Sequence, residues 1–372
     1  MAGTCSRTLL LLALASTGAA LGQTPASVPP IAPTAPLGEP DHTAHLESDA
    51  PEMRYQHGLF VAVKYDGTVS IRDKDGHLTN TLTLPPPEKN TLLSPSIADW
   101  AIFKDGSIVA SWAYMMPHDM RRYLFLFHYD PAGAFLDKID LGKWRASRIC
   151  IAADNSVWTL SGEEEGGHAL YSPDQGVLRN YKFGPGFVQA GVPRSNFPQE
   201  FQNFYQNGNV AIDCSGDKIH ALTDDGQWIE YTPDGDFTIT KVERLSHTEA
   251  DYYKLSGFAY LDENHIYGFM ESRPGKELPN VFAELLPAAD GKGLQWVEIP
   301  DKALPANNHP PESKPNPDSN DPPQPPITVT ALLGADHESG ERLVYRTSAD
   351  DKVLWSKPLF ASAPTPADPP EK

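Results

Sequence analysis

Residues 114–122 concentrate side chains that could bind an anionic or aromatic partner, and they read YMMPHDMRR. Polarisable methionines, an imidazole and two adjacent guanidiniums suit such a partner, because a guanidinium forms paired hydrogen bonds with carboxylates and stacks on rings. The alternative is a loop whose methionines only pack on a neighbouring part of the fold. The candidate ligand-binding residues of this segment are Tyr114, His118, Arg121 and Arg122.

A second candidate segment contains Phe197, Phe201 and Tyr205, interleaved with Gln and Asn. Rings among amides are typical of surfaces that stack on sugars or bind an extended peptide. The alternative is that these rings only anchor the segment to the fold. The sequence leaves both interpretations open.

Known catalytic motifs are missing from the sequence, which has no Gly-x-Ser-x-Gly elbow, no His-Glu-x-x-His helix and no Gly-rich phosphate loop. Asp73-Lys74-Asp75-Gly76 resembles part of a calcium loop. Asp and Gly recur at equivalent places along the chain, however, which indicates the chemistry of tight turns. The sequence therefore points to binding more than to catalysis.

The elements that must position these side chains are short strands separated by turns of one kind. Asp66-Gly67 is followed nine residues later by Asp75-Gly76, and Asp225-Gly226 is followed nine residues later by Asp234-Gly235. A hairpin unit of this kind cannot bury its own apolar face, so copies must stack or close into a ring. The repeat predicts an all-β protein, a β-propeller of six blades with four antiparallel strands each, while five and seven blades remain open.

Strand patterns divide residues 55–360 into six units. We name the strands of a unit a, b, c and d from the axis outward. For the third unit the pattern predicts strands at 148–153, 157–160, 169–172 and 177–183. The outer two units are incomplete, since 57–84 matches strands b, c and d and 327–357 supplies about three strands. We expect the two chain ends to combine and close the ring.

The turn sequences resemble those of NHL-type propeller repeats: FKDGSI at 103–108 is followed by HYDPAGAF at 128–135. The resemblance covers nearly the whole chain after the predicted signal peptide and concerns turns and packing. It implies the propeller fold and hardly constrains the activity.

In a propeller the b-to-c loops and d-to-a crossings share one face, and here these are the long connections. Counting about seven residues back from each a-to-b turn places Asp99, Arg148, Asn209 and Ser256 at the channel mouth on this face. Propeller enzymes of the gluconolactonase type hold calcium there with several carboxylate and amide oxygens. One carboxylate, one amide and a competing guanidinium favour ligand binding over calcium.

Residues 1–22 have the features of a signal peptide, with Arg7 before a short apolar core and small residues before Gln23. Residues 23–54 are predicted to be a Pro-rich disordered tether, 301–326 a Pro-rich loop insertion in the propeller, and 361–372 a disordered tail. We find no other candidate transmembrane segment in the sequence. The expected location is extracytoplasmic, either secreted or periplasmic.

The formal net charge of −19 disfavours nucleic acid and anionic membranes as partners. Cys150 and Cys214 remain after signal removal, and in an oxidising compartment such a pair is usually bridged where geometry allows. The two residues lie two positions apart in register, which favours two buried thiols over a disulfide.

Taken together, the sequence predicts an exported monomeric propeller that binds a protein segment or a carbohydrate and needs no cofactor. The alternative is a propeller hydrolase of the lactonase type with calcium at the channel mouth. A structural or envelope-associated module also remains open.

Overall fold

The computed structural model describes the chain in ranges between residues 42 and 358, namely 42–46, 53–64, 66–86, 93–115, 122–165, 168–170, 177–184, 210–223, 226–232, 235–245, 253–272, 279–299, 329–347 and 353–358. Regular structure in these ranges consists of β-strands. Within the same ranges, no helix has the length and apolarity that crossing a bilayer requires.

The 24 strands form six consecutive units. The first three units contain β2 (Met53–Gln56), β3 (Leu59–Val63), β4 (Thr68–Arg72) and β5 (Leu78–Thr83); β6 (Leu93–Ile102), β7 (Ile108–Met115), β8 (Arg122–Tyr129) and β9 (Phe135–Gly142); and β10 (Trp144–Ile151), β11 (Val157–Glu165), β12 (His168–Leu170) and β13 (Leu178–Tyr181). The last three contain β14 (Ala211–Asp213), β15 (Ile219–Leu222), β16 (Gln227–Tyr231) and β17 (Phe237–Glu243); β18 (Tyr253–Asp262), β19 (His265–Ser272), β20 (Val281–Pro287) and β21 (Leu294–Glu298); and β22 (Val329–Asp336), β23 (Arg342–Thr347) and β24 (Val353–Pro358), joined by β1 (His42–His45).

The innermost strands of the units, β2, β6, β10, β14, β18 and β22, form a closed ring. From β6 onward each inner strand contacts the next, and β22 contacts β2. Between β2 and β6, Arg54 Nη1 donates to the Trp100 carbonyl at 3.0 Å and the Ile102 amide donates to Gln56 Oε1 at 3.1 Å. The fold is a β-propeller, which confirms the predicted fold class.

The core lies between the units. Six clusters of buried apolar side chains lie between the units, and each cluster joins two neighbouring units. Val61 and Trp100 belong to the cluster between the first and second units. Phe60 and Leu333 belong to the cluster that joins the sixth unit to the first. Because every sheet packs on both neighbours, middle strands such as β7 are apolar on both faces, whereas outer strands such as β5 and β9 are largely exposed. The ring rather than the single unit therefore buries the core.

The chain ends close the ring as predicted, but with different strands. β1 pairs antiparallel with β24, with His42 opposite Ser356, and completes the sixth unit, while β2 gives the first unit its own inner strand. Part of the predicted tether at 23–54 is thus folded. The four-residue segment at 42–45 has no strand periodicity of its own and gains its structure from backbone pairing with β24.

The third unit differs from the prediction. β13 pairs directly with β11, with Leu160 opposite Leu178, although 177–183 was expected to lie outside a strand at 169–172. β12 pairs with the other half of β11, with Glu165 opposite His168. Two short strands share one edge because β11, at nine residues, is long enough for both. Among the described residues, no strand lies beyond them.

The fourth and fifth units share one eight-stranded sheet. Their outer strands β17 and β21 pair in parallel, with Val242 opposite Leu294. A Cβ atom on Gly293 would lie 2.6 Å from the Lys241 carbonyl oxygen, so glycine permits this close approach.

Cys150 and Cys214 form a disulfide, with their Cα atoms 5.7 Å apart. The expectation of two free thiols was wrong. It counted positions from the turn of each strand, which does not fix how neighbouring inner strands are shifted along the axis. At this separation a bridge needs no backbone movement. The disulfide joins the third unit to the fourth.

The repeated Asp-Gly turns have matching geometry. Gly67 and Gly226, at φ of +87° and +83°, each follow strand b, and their carbonyl oxygens accept a hydrogen bond from an amide at the end of strand d. The donor is Leu84, just after β5, at 2.7 Å in the first unit and Val242, within β17, at 2.6 Å in the fourth. A Cβ at Gly226 would lie 2.6 Å from the Val242 oxygen. The shared spacing in the sequence therefore reflects one repeated hydrogen-bonded turn.

We expect Gly226→Ala to lower the free energy of unfolding by about 3 kcal/mol, because both the positive φ and the contact with the Val242 oxygen oppose a Cβ. The control is Gly235→Ala in the same unit, where φ is +98° but no atom lies within 4 Å of the added Cβ. In that variant the free energy of unfolding should fall by only about 1 kcal/mol. Urea unfolding measures both, and equal losses would contradict the role of the contact.

Candidate functional site

A cavity of about 580 Å³ runs along the axis and is lined by residues of all six inner strands. This volume suits a small molecule or a short chain segment. Asp99, Arg148 and Ser256, which the sequence placed at the channel, all line it. We call the end where the inner strands begin, near Arg54, Arg148 and Lys254, the start mouth. The end formed by the a-to-b turns, near His57 and Asp213, is the turn mouth.

Asp99 is buried, and both of its carboxylate oxygens are in use. Oδ1 accepts a hydrogen bond from Arg54 Nη2 in an ion pair, and Oδ2 accepts one from the Ile149 amide at 2.6 Å. This carboxylate joins the first three inner strands. Its charge is already matched inside the protein, so it has a structural role that the sequence did not reveal.

Arg54 was not among the predicted residues. Its guanidinium lies 5.0 Å from the centre of the Trp100 ring, and 28% of its side chain is exposed. It belongs to the short strand β2, inside the region predicted as a tether. The His57-Gly58 turn, which follows at the usual a-to-b position, is the signal that could have located it.

Two other cations lie at the start mouth. Arg148 donates from Nε to the Val210 carbonyl at 3.2 Å and from Nη1 to the Ser147 carbonyl at 2.9 Å, which fixes its guanidinium at the cavity wall. Lys254 is exposed, lines the cavity and lies opposite Glu271 in the β18–β19 ladder. Ser256 donates to the Phe269 carbonyl at 3.2 Å. This mouth therefore offers hydrogen-bond donors to a ligand.

The aromatic and basic segment near residue 114 is only partly described. Tyr114 lies in β7 rather than in a loop, and its buried ring stacks on Tyr123 and Phe125, with centroids 5.8 and 5.5 Å away. The alternation of β7 turns this ring into the core, which corrects its assignment as a ligand-binding residue. Arg122 begins β8, opposite Met115. The candidates that lie outside the described residues are His118, Arg121, Phe197, Phe201, Tyr205 and Asn209.

Ser107 and His128 resemble a nucleophile and its base, since Ser107 Oγ lies 3.1 Å from His128 Nε2. Burial lowers the pKa of His128, and Ser107 is only 3% exposed. The serine hydroxyl donates to Asp105 Oδ1 at 2.6 Å, and Ser156 repeats this bond with Asp154 in the next unit. Because the same bond recurs in another a-to-b turn, we assign it to turn structure rather than to catalysis.

One group of possible metal ligands occurs among the described residues, and it consists of Asp73, Asp75 and His77. Its ligand atoms lie close enough together to share a metal ion. Asp73 Oδ1 accepts hydrogen bonds from the amides of Asp75 and His77, both at 2.9 Å. Asp130 does the same with the amides two and four residues later. The grouping thus follows the turn geometry that the sequence indicated.

Comparisons with known proteins add no functional assignment. No family model and no curated protein matches the chain. Among solved structures, BBS1N in complex with ARL6DN is similar over 89% of this chain and 99% of that chain, at 11% identity and a TM-score of 0.35. BamB from Moraxella catarrhalis is similar over 86% and 99%, at 13% identity and a TM-score of 0.35. A glucose dehydrogenase is similar over 85% and 98%, at 9% identity and a TM-score of 0.43. Similarity at this level carries no argument about ligand, partner or activity.

Proposed function

We propose that this chain is an exported six-bladed propeller of the NHL type that binds a ligand in its axial cavity and is not an enzyme. The observation that carries the proposal is the cavity of about 580 Å³, which all six inner strands line. A rigid ring with a central cavity positions binding groups without requiring any catalytic constellation.

Cations outnumber carboxylates at the start mouth, so this mouth favours a ligand that accepts hydrogen bonds and carries negative charge. The cations are those of Arg54, Arg148 and Lys254, and the carboxylates are those of Asp99 and Glu271. Arg148 is held at the wall by two carbonyls, and Lys254 extends into the same space. Charge-assisted donors of this kind prefer carboxylates. We therefore propose a protein segment with acidic side chains as the ligand, and an acidic glycan as its alternative.

The Cys150–Cys214 disulfide supports the proposed export, because disulfides persist in oxidising compartments and are rare in the cytosol. The signal-like residues 1–22 point the same way. Neither feature distinguishes a secreted protein from a periplasmic one.

The lactonase alternative is less favoured by the geometry. A calcium site at the start mouth needs several oxygen ligands, and the one carboxylate predicted there, Asp99, is ion-paired with Arg54. Elemental analysis of the purified chain and its melting temperature with and without calcium test this alternative. A stoichiometric ion with a stabilisation that Asp99→Asn abolishes would support it over binding.

The binding proposal is tested by fluorescence polarisation with labelled acidic, neutral and basic peptides and with acidic and neutral oligosaccharides. We expect Lys254→Ala to weaken binding of an acidic probe about tenfold and to leave the melting temperature unchanged. The matched control is Lys292→Ala, since Lys292 is also exposed but lies in the β20–β21 turn outside the cavity. Equal affinity for both variants would contradict binding at the start mouth.

A further inference from the structure

The wall of the axial cavity is apolar between its two mouths. Five of the six inner strands each contribute a half-buried apolar side chain to this part of the wall. A ligand in the cavity can contact the exposed part of each of them. These side chains are Ala98, Ile151, Ile212, Phe258 and Ala331.

The remaining inner strand, β2, contributes Tyr55 and Gln56, and both use polar atoms inside the protein. The Tyr55 hydroxyl donates to Asp336 Oδ2 at 3.1 Å, and Gln56 Oε1 accepts the hydrogen bond of the Ile102 amide. The cavity between the mouths therefore presents mainly apolar surface to a ligand.

The start mouth keeps positive charge after the ion pair of Asp99 with Arg54 is set aside. Arg148 and Lys254 line this mouth, and Glu271 is the remaining carboxylate of its lining. In the part of the chain that the structure describes, no ion pair holds the exposed Lys254 ammonium. The start mouth can therefore pair a cation with a carboxylate of the ligand.

The turn mouth has the opposite sign, because three carboxylates and one lysine line it, namely Asp213, Asp336, Glu338 and Lys104. Two histidines of its lining do not reverse this balance. Burial lowers the pKa of His57, and His337 Nδ1 lies 2.9 Å from Glu341 Oε2. An anionic group is therefore favoured at the start mouth and disfavoured at the turn mouth.

We infer that the axial cavity binds a carboxylate at the end of an apolar chain, with the carboxylate at Arg148 and Lys254 and the chain along the apolar wall. The inference rests on the proposed function, because it uses the same start mouth, and it adds which part of the ligand enters the cavity. An acidic side chain within a longer segment reaches the mouth but leaves the apolar wall uncovered. An apolar chain that carries the carboxylate at its end covers this wall and removes its surface from water.

Two sources supply this chemistry, a free alkyl carboxylate and the C-terminus of a protein whose last side chains are apolar. The cavity has the length for either one. Four residues along the wall, from Arg148 to Ala152, cover about 13 Å, which is the length of about four residues of an extended peptide.

Calorimetric titration of a chain produced without residues 1–22, with straight-chain carboxylates from butanoate to decanoate, tests the apolar part of the inference. We expect each added methylene to tighten binding about three- to fourfold until the cavity is filled, because each is removed from water. Affinity that does not change with chain length would overturn the inference. The proposed function would then still stand if the acidic peptides bind.

Variants separate the two parts of the site. Lys254→Ala should weaken butanoate and decanoate equally, about tenfold, because both carry the carboxylate. Ile212→Thr should weaken decanoate about fivefold and leave butanoate unchanged, because only the longer chain reaches this side chain. The matched control is Ile239→Thr, since Ile239 is also half-buried and packs on the same apolar cluster, but lies in β17 outside the cavity. Equal losses for both isoleucine variants would contradict a chain bound along the wall.

Two isomeric peptides test the position of the carboxylate at equal charge. One is acetyl-Val-Gln-Val-Leu with a free C-terminus, and the other is acetyl-Val-Glu-Val-Leu with a C-terminal amide. We expect the free C-terminus to bind at least fivefold tighter if the ligand is a protein terminus, and only the alkyl carboxylates to bind if the ligand is a free one. Equal or tighter binding of the internal glutamate overturns the inference and keeps the proposed function. Absence of binding by every acidic probe at millimolar concentration overturns both.

Discussion

Reduction of the Cys150–Cys214 disulfide is expected to lower the free energy of unfolding by about 4 kcal/mol, because the bridge closes a loop with a sequence separation of 64 residues. Without the bridge the unfolded chain gains the conformational freedom of that loop. Urea unfolding of a chain produced without residues 1–22, with and without reductant, gives the difference directly. The loss should be among the largest that any single covalent change produces in this protein.

The double variant Cys150→Ser with Cys214→Ser should unfold like the reduced chain and should not respond to reductant. Cys5 lies in the predicted signal peptide, so a chain produced without residues 1–22 has no other cysteine that could compete. Detection of two free thiols in the unreduced, freshly purified protein would contradict the disulfide. It would also remove the support that the bridge gives to export.

Asp99→Ala is expected to lower the free energy of unfolding by about 3 kcal/mol, since it leaves the Arg54 guanidinium and the Ile149 amide without their shared acceptor. The loss lies at the lower end of the range for buried ion pairs because 28% of the Arg54 side chain is exposed to solvent. The free energy of unfolding in urea measures it. A ligand-binding role alone would instead leave stability unchanged and affect only affinity.

A double-mutant cycle separates the pair from its surroundings. Arg54→Met removes the cation while keeping an apolar stem, and the Asp99→Ala, Arg54→Met chain should lose less than the sum of the two single variants. Strict additivity would show that the two side chains do not depend on each other. The structural role assigned to Asp99 would then be wrong.

The sequence predicted the fold well where a unit is regular. Strands such as Val281–Pro287 alternate or run apolar between Asp-Gly turns, so their position follows from local pattern. The prediction from sequence failed where the pairing of a strand depends on distant parts of the chain. β1 owes its structure to β24, and β13 lies beside β11 only because β12 occupies the other half of that edge.

The site was predictable in position and not in role. Asp99 and Arg148, which were located by counting back from the turns, line the cavity because residues of every inner strand face it. The partners of these side chains lie on neighbouring units, and no local pattern encodes which unit faces which side chain. Tyr260 illustrates the same limit, since the ring on which it stacks, His220, belongs to the fourth unit while Tyr260 belongs to the fifth.

The parallel pairing of β17 with β21 makes the seam between the fourth and fifth units stiffer than a seam held by side-chain packing alone. If the ring widens to admit a ligand, these two units should move as one rigid body, and the opening should occur at seams without such a backbone link.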